Sequence, residues 1–309
     1  LGRYSPPMDA LNAAAATGRL KCRQGAIVSQ VEVDGAGRAC GVAFFDRRVR
    51  RVCRASAPRI VLAASTLEST RILLMSRNDR SPQGIGARSG ALGRFLMDHV
   101  SIKVQGTGPS IETSGREIEV GACVYLPRFD GRRDVETGVG RGFGVRVYQS
   151  PGPPGSSYFT AVADAEMLPR AENHVRLSDR KDAWGLPVLH IDAAHNEMEL
   201  ALAQDQAKAL EEIAAIARVR LNEPPGAPSA PGSAIHECGT ARMGDDPTSS
   251  VLDPFNQCWE APGLYVVDGA AFPSEGIQNP TLTILALTAR ACDNMVNAKI
   301  GRASCRERG

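Results

Sequence analysis

Three segments in the last third of the chain decide the fold. They read His236-Glu237-Cys238-Gly239-Thr240-Ala241-Arg242-Met243-Gly244, Leu264-Tyr265-Val266-Val267-Asp268-Gly269 and Asn279-Pro280-Thr281-Leu282-Thr283. The middle segment is a short apolar run that ends in Asp-Gly, which is typical of a buried strand leaving its sheet. The last segment places proline at the start of a predicted helix, Leu282 to Val296. A strand end beside a helix start is where an α/β protein usually binds a cofactor.

The length and composition favour an ordinary water-soluble architecture with two domains. At 309 residues the chain exceeds what one hydrophobic core usually holds. Hydrophobic residues make up 43% and charged residues 23%, and the net charge of +2 argues against a strongly basic nucleic-acid-binding protein. No apolar run reaches the roughly 20 residues that span a bilayer, so the sequence predicts no transmembrane segment.

Cysteine and histidine spacing argues against a metal site. None of the 8 cysteines forms a Cys-x-x-Cys pair, which disfavours a zinc ribbon or a thioredoxin-type site. Their scattered positions favour buried free thiols over a disulfide framework. The 5 histidines show no His-x-x-x-His spacing, so no metal is expected.

Both ends of the chain have the features of a fragment. The N-terminus, Leu1-Gly2-Arg3-Tyr4, has no initiator methionine. The last ten residues, 300–309, resemble the translation of a sequencing adapter, and we leave them out of the fold.

The first part of the chain predicts a helix, a meander and a buried strand. The helix covers residues 9–16 and ends before Gly18. Alternating apolar residues predict strands at 26–33, 41–45 and 50–54. The run Arg59-Ile60-Val61-Leu62-Ala63-Ala64 predicts a fully buried central strand, and a helix follows in which Ser65 and Glu68 have capping-box spacing.

Residues 91–235 have a different character, which indicates a second domain. Short alternating segments lie at 102–104, 120–126, 143–147, 159–163 and 174–177, and predict an antiparallel sheet. One helix, Glu197 to Arg218, is expected to bury an apolar face formed by Leu202, Leu210, Ile213, Ile216 and Ala217. We therefore expect an α/β fold, α+β overall, with residues 1–90 and 236–299 in one domain and 91–235 in the other.

The remaining chemical signals are weak when each is taken alone. The glycine-rich stretches 84–90 and 138–144 lack the strand–loop–helix context of a phosphate loop, so ordinary loops are expected. His236 alone fits a surface residue, and Asn279 alone fits a helix N-cap. Asp268 fits either a simple turn or an acceptor for a sugar hydroxyl beside a glycine that admits close backbone approach.

In combination, these motifs resemble the glucose–methanol–choline (GMC) oxidoreductase family. The resemblance extends upstream through Gly25-Ala26-Ile27-Val28, Val61-Leu62-Ala63-Ala64-Ser65-Thr66-Leu67-Glu68-Ser69, Gly93-Arg94-Phe95-Leu96-Met97-Asp98-His99 and Asp182-Ala183-Trp184-Gly185-Leu186-Pro187-Val188. It is similar to bacterial sugar-oxidising members, including gluconate 2-dehydrogenase-like and pyranose-oxidase-like proteins, and also to choline dehydrogenase-like proteins. The matching segments follow the order of the family and cover nearly the whole chain up to Lys299.

The resemblance implies FAD as cofactor and assigns roles to individual residues. His236 would be the catalytic base and Asn279 its partner, with Asp98 and His99 on the substrate side. Five residues would bind FAD: Val28 at the adenine, Asp268 and Gly269 at the ribityl–pyrophosphate part, and Pro280 and Thr281 at the flavin ring. The Gly-x-Gly-x-x-Gly segment of the family is absent from this sequence, which implies an incomplete FAD-binding Rossmann-type domain beside an antiparallel substrate-binding domain. Thr70 stands where proline is usual.

The implied function is oxidation of a CH–OH group in a sugar, sugar acid or other alcohol. His236 would take the hydroxyl proton while the carbinol hydride moves to flavin N5. Two alternatives stay open: an inert fragment unable to bind FAD, and a flavin-containing lyase of the same family. The expected partners are a small-molecule substrate and an electron-acceptor protein or quinone, with no nucleic acid. The sequence leaves the compartment open between the bacterial cytoplasm and periplasm.

Overall fold

A computed structural model of the protein describes residues 6–111, 123–128 and 142–306. Its helices are α1 Pro6–Ala16, α2 Thr66–Met75, α3 Glu197–Ile216 and α4 Thr281–Arg306. The strands, in chain order, are β1 Ala26–Val33, β2 Ala39–Asp46, β3 Arg51–Ser56, β4 Ile60–Leu62, β5 His99–Pro109, β6 Cys123–Arg128, β7 Phe143–Pro151, β8 Ser156–Glu166, β9 His174–Lys181, β10 Pro187–Asp192, β11 Arg220–Leu221 and β12 Leu264–Val266. The α/β fold class predicted from the sequence is confirmed.

One hydrophobic core is built from both ends of the sequence. The antiparallel meander β1–β2–β3 lies beside a parallel pair, β4 and β12, in which Val61 is opposite Tyr265. Leu62, Leu73 and Val266 share this core although about 200 residues separate the first from the last. Parallel pairing brings the carboxyl ends of β4 and β12 to the same edge, so the turns that follow them are neighbours.

A second core lies under a five-stranded antiparallel sheet of order β11-β5-β8-β7-β6. Helix α3 covers one face of this sheet and buries Leu202 and Leu210 against residues such as Ala163. Asn196 begins the helix with a complete capping box to Glu199, which satisfies N–H groups that the first turn leaves open. A separate hairpin, β9–β10, is joined to α2 because Arg71 donates to Pro187 O at 2.7 Å and to Asp182 at 2.6 Å.

Several sequence expectations about packing are wrong in detail. Ile216, expected on the buried face of α3, is 83% exposed because the helix ends there. Val61, expected in a fully buried central strand, is 48% exposed, since β4 pairs only with β12 among the described residues. Strand β10 was not predicted from the sequence. The predicted strand at 120–126 is described only from Cys123, and 138–141 of the second glycine-rich stretch lie outside the described residues.

The termini and cysteines also differ from expectation. Helix α1 begins at Pro6, earlier than predicted, and α4 continues from Thr281 to Arg306, past the predicted end at Val296. The seven described cysteines are free, but only Cys238 and Cys258 are buried. Within the described part of the chain, no helix combines the length and apolar character that crossing a bilayer requires.

The α3 contact with the large sheet gives a direct test of the second core. Leu210 is fully buried, so Leu210→Ala should lower the free energy of unfolding by about 2–5 kcal/mol through lost burial and a residual cavity. The matched control on the same helix is Ile216→Ala, which should change it by about 0.5 kcal/mol or less. Urea denaturation followed by circular dichroism measures both, and equal losses would contradict this packing.

Candidate functional site

The site begins where β4 and β12 end. The chain leaves β4 through Ser65, which has φ 80 and makes no side-chain capping bond, so the predicted Ser65–Glu68 capping box is wrong. Asp268, just after β12, provides the acceptor instead: Ser69 Oγ donates to its Oδ2 at 2.5 Å, and the Ala64 N–H donates to Ser69 Oγ at 3.1 Å. A buried carboxylate thus anchors the start of α2.

Asp268 and Gly269 are both packed inside the protein. Burial raises the pKa of Asp268, while the hydrogen bonds from Ser69 and from the Ala270 N–H act in the opposite direction. A Cβ on Gly269 would lie 2.5 Å from Thr66 Oγ1, so no larger residue fits. The Asp268 side chain therefore stabilises the strand end, and contact with a sugar hydroxyl stays a prediction.

The segment around Cys238 is held between the two cores by backbone hydrogen bonds. Cys238 exchanges two of them with Met97, at 2.9 and 3.0 Å, and the Gly239 N–H donates to Gly269 O at 2.9 Å. Gly239 has φ +85, and a Cβ there would meet Phe95 O at 2.1 Å. Only glycine satisfies both the left-handed backbone and the close approach.

Asp98 fixes the position of His236 through the preceding loop. Its carboxylate accepts the backbone N–H groups of Gly232 at 2.7 Å, Ala234 at 3.1 Å and His236 at 3.2 Å. The loop contains Ile235 with φ 57, a conformation that a β-branched side chain disfavours. Asp98 is 2% exposed, and its carboxylate holds the loop that leads into His236; its place on the substrate side stays a prediction.

The structure brings His236 and Asn279 into contact across 43 residues of sequence. Asn279 Nδ2 lies 3.0 Å from His236 Nε2. Arg146 Nη1 donates to Asn279 Oδ1 at 3.4 Å, and its Nη2 donates to Asp164. Because Arg146 can only donate, the amide oxygen must face it and the amide nitrogen must donate to His236. His236 Nε2 is then the acceptor, with the ring proton on Nδ1.

Two buried groups lie beside this pair. The rings of His99 and His236 meet edge to face with centroids 4.9 Å apart, and His99 Nε2 lies 3.6 Å from Glu275 Oε1. Burial lowers the pKa of His99, and burial together with Asp98 raises the pKa of Glu275 to about 9. Both groups are therefore neutral near pH 7, and their contact is not an ion pair.

The remaining predicted cofactor residues lie on two elements. Pro280 is buried and its carbonyl accepts the Ile284 N–H at 2.9 Å, while Thr281 begins α4 and is exposed. Val28 lies on β1 opposite Phe44 and packs partly against the first core. Neither placement tests their predicted contacts with FAD.

Sequence reasoning missed Arg146, Asp164 and Glu275. Arg146 lies between two valines on β7 and Asp164 between two alanines on β8, where a charged side chain is expected to pair or to face solvent. That pattern could have indicated from the sequence that both residues take part in a polar pair. Glu275 lies in a loop four positions before Asn279, and nothing in its local sequence marks it as buried.

This arrangement is that of an α/β protein with a histidine–amide pair at the meeting point of two cores. Residues 169–288 match the family model described as GMC oxidoreductase, and the chain belongs to the GMC oxidoreductase family. The predicted family resemblance is thus confirmed.

Individual relatives agree with this assignment. The chain is 31% identical to 2-methyl-1,2-propanediol dehydrogenase of Mycolicibacterium austroafricanum, over 83% of this chain and 51% of that protein. It is 32% identical to paromamine 6'-oxidase of Streptomyces fradiae, over 84% of this chain and 49% of that protein. The chain therefore spans about half the length of these curated relatives.

Solved structures show the same fold. An FAD-dependent oxidoreductase from Chaetomium thermophilum superposes with a TM-score of 0.62 at 16% identity, covering 93% of this chain and 63% of that chain. At this identity the similarity concerns the fold alone.

The Asp98 contacts predict a local change in stability. Asp98→Asn replaces one acceptor oxygen by an N–H donor that faces the loop amides. The free energy that protects the amides of 232–236 from hydrogen exchange should therefore fall by about 1–3 kcal/mol, and these amides should exchange faster. Hydrogen–deuterium exchange with mass spectrometry measures this. Asp253 accepts the Phe255 and Gln257 N–H groups in a similar turn, so Asp253→Asn is the matched control and should leave 232–236 unchanged. Unaltered exchange in Asp98→Asn would contradict the assigned role.

Proposed function

We propose that the chain forms the base-bearing part of an FAD-dependent enzyme that oxidises a CH–OH group of a sugar, sugar acid or other alcohol. The 3.0 Å contact between His236 Nε2 and Asn279 Nδ2 is the observation that carries the proposal. The names of the relatives, a propanediol dehydrogenase and a paromamine oxidase, agree with this substrate class. In this proposal His236 is the catalytic base and Asn279 its partner.

A substrate hydroxyl can replace the direct hydrogen bond between the two side chains, because one oxygen can both donate and accept. It would donate its proton to His236 Nε2 and accept the Asn279 amide N–H. As the proton leaves, negative charge grows on the oxygen, and the amide donor stabilises it. General-base assistance of this kind is typically worth about 10²–10⁴-fold in rate.

The Arg146–Asp164 pair supports this chemistry from the opposite sheet. Arg146 is oriented by Asp164 on β8 and holds the oxygen of the Asn279 amide. That contact keeps the N–H of the amide toward His236, so Nε2 is the unprotonated nitrogen and can accept from a substrate hydroxyl that replaces the amide N–H. Through one amide orientation, the second core thus selects which ring nitrogen carries the proton of the neutral base.

The first turn of α4 fits a flavin ring chemically. A helix start leaves backbone N–H groups without partners inside the helix, and here the first turn also presents Leu282, which is 78% exposed. N–H donors suit the acceptor-rich edge of a flavin, and an apolar side chain suits its ring face. FAD, when bound, supplies the acceptor for the substrate hydride.

The other cofactor contacts follow the family pattern. Pro280 and Thr281 would lie at the ring, Val28 at the adenine, and Asp268 and Gly269 at the ribityl–pyrophosphate part. Because Gly269 has no room for a side chain, its contribution would come from the backbone. In this proposal residues 1–90 and 236–299 form the FAD-binding domain, residues 91–235 bind substrate, and electrons leave to an acceptor protein or quinone.

Replacing the base should separate cofactor binding from chemistry. His236→Ala in the flavin-loaded protein should retain the flavin absorbance yet slow flavin reduction by an alcohol or sugar about 10²–10⁴-fold. Anaerobic stopped-flow absorbance measures this rate. The control His190→Ala removes an exposed histidine on β10 and should leave the rate unchanged. Undiminished reduction in His236→Ala would end the assignment of the base.

Replacing the amide should act on the transition state. Asn279→Leu removes the donor to the developing alkoxide and should lower the rate of flavin reduction about 10²–10³-fold. The adjacent Gln278 donates to Tyr125 instead of His236, so Gln278→Leu is the matched control and should retain most of the rate. Equal effects of the two substitutions would argue that this turn acts only through folding.

A further inference from the structure

His99, His236 and Glu275 form a compact cluster from three distant segments, which we call the buried triad. The nitrogen and carboxylate oxygen atoms that they offer all lie within 4.8 Å of one another. His99 comes from the start of β5, His236 from the loop that Asp98 holds, and Glu275 from the loop before α4. No local spacing in the sequence could indicate this cluster, because ligand motifs are recognised only when the residues are close in the chain.

The triad holds an unusual number of buried polar atoms that lack partners. The side chain of His99 is 1% exposed and that of Glu275 is 0% exposed. Within the described part of the chain, both ring nitrogens of His99, Nδ1 of His236 and both carboxylate oxygens of Glu275 have no nitrogen or oxygen hydrogen-bond partner. The Cys238 thiol contacts Glu275, but a thiol is a weak donor. Buried polar groups normally have partners, so these converging nitrogen and oxygen atoms together form the donor set of a ligand site.

The electrostatic surroundings favour a cation as the ligand of that site. The pKa of Glu275 is raised by burial and by the nearby negative charges of Asp98, Glu166 and Glu237. At His99, burial lowers the pKa, the charge of Asp164 raises it and that of Arg146 lowers it. The Arg146 guanidinium is already paired with Asp164. A divalent cation would offset this excess of acidic groups and allow Glu275 to ionise.

We propose that the buried triad binds a divalent cation of the Zn²⁺ type through His99 Nε2, His236 Nδ1 and a carboxylate oxygen of Glu275. Two imidazoles and a carboxylate are ligands that Zn²⁺ prefers, with water completing a tetrahedron. Ligand atoms about 2.0–2.2 Å from such an ion lie about 3.4 Å apart. His99 Nε2 and Glu275 Oε1 are already 3.6 Å apart, and all three ligand atoms lie within 4.8 Å of one another.

Cation binding has a consequence that rests on the proposed function. When a metal occupies Nδ1 of His236, the neutral ring carries its proton on Nε2, and the Asn279 amide must turn its oxygen from Arg146 toward His236 to accept that proton. The lone pair that would accept the substrate proton is then lost. Zn²⁺ would therefore be an inhibitor that acts on the base itself.

The test of binding uses the whole chain without flavin, so it does not depend on activity. Isothermal titration with Zn²⁺, and the visible absorption of Co²⁺ as a probe of coordination geometry, should detect a site that His99→Gln and Glu275→Gln weaken about tenfold or more. His190→Gln removes an exposed histidine and is the matched control, which should bind as the parent does. Exposed thiols, such as Cys22, are present in every variant and contribute equally.

The outcomes separate this proposal from the proposed function. Loss of the Co²⁺ bands in both triad variants, with retention in His190→Gln, supports the site. Equal binding in all variants, or no binding above the surface background, overturns it. In flavin-loaded protein, Zn²⁺ should slow flavin reduction and a chelator should restore it. If Zn²⁺ binds the triad but His236→Ala reduces flavin at the parent rate, the cation site stands and the function of His236 falls.

Discussion

The structure depends on the buried carboxylate of Asp98, which holds three backbone N–H groups of the loop before His236. This single group joins the start of the second core to the segment that returns to the first. It also keeps Ile235 in a left-handed conformation that the residue would otherwise leave. Without these bonds the loop would relax, and His236 would move away from Asn279. Asp98 therefore positions His236, the proposed base, through the backbone of this loop.

The proposed site is built from residues of both hydrophobic cores. His236 and Asn279 flank the strand β12 of the first core, whereas Arg146 and Asp164 lie on strands β7 and β8 of the second. The loop and helix that carry Asn279 allow its side-chain amide to face either way. Arg146 selects one orientation, and that choice determines which nitrogen of His236 accepts a hydrogen bond. Relative movement of the two cores would therefore change the chemistry of the base before it changed the fold.

The sequence predicted most of the elements but only part of the site. Strand β1 was predicted with its observed bounds because its apolar residues alternate and clear turns flank it. The strands around Val145 and Ala163 were predicted for the same reason. Ile216 was wrongly predicted to be buried because helical periodicity does not show where a helix stops. The Ser65–Glu68 capping box was wrongly predicted because spacing alone does not show that Asp268 supplies the acceptor. The His236–Asn279 pair came from the family resemblance, whereas Glu275 and Arg146 reach it only through tertiary packing, which local patterns do not encode.

The central claim is that His236 presents an unprotonated Nε2 toward Asn279 and carries its ring proton on Nδ1. Nitrogen-15 NMR of histidine-labelled protein measures this directly, with His236 assigned by its loss in His236→Gln. We expect the Nδ1–H tautomer of the neutral ring, and a shift toward the Nε2–H tautomer in Arg146→Met, where the amide is free to turn. A dominant Nε2–H form in the parent protein would contradict the account, because the nitrogen that faces Asn279 would then have no lone pair for a substrate proton.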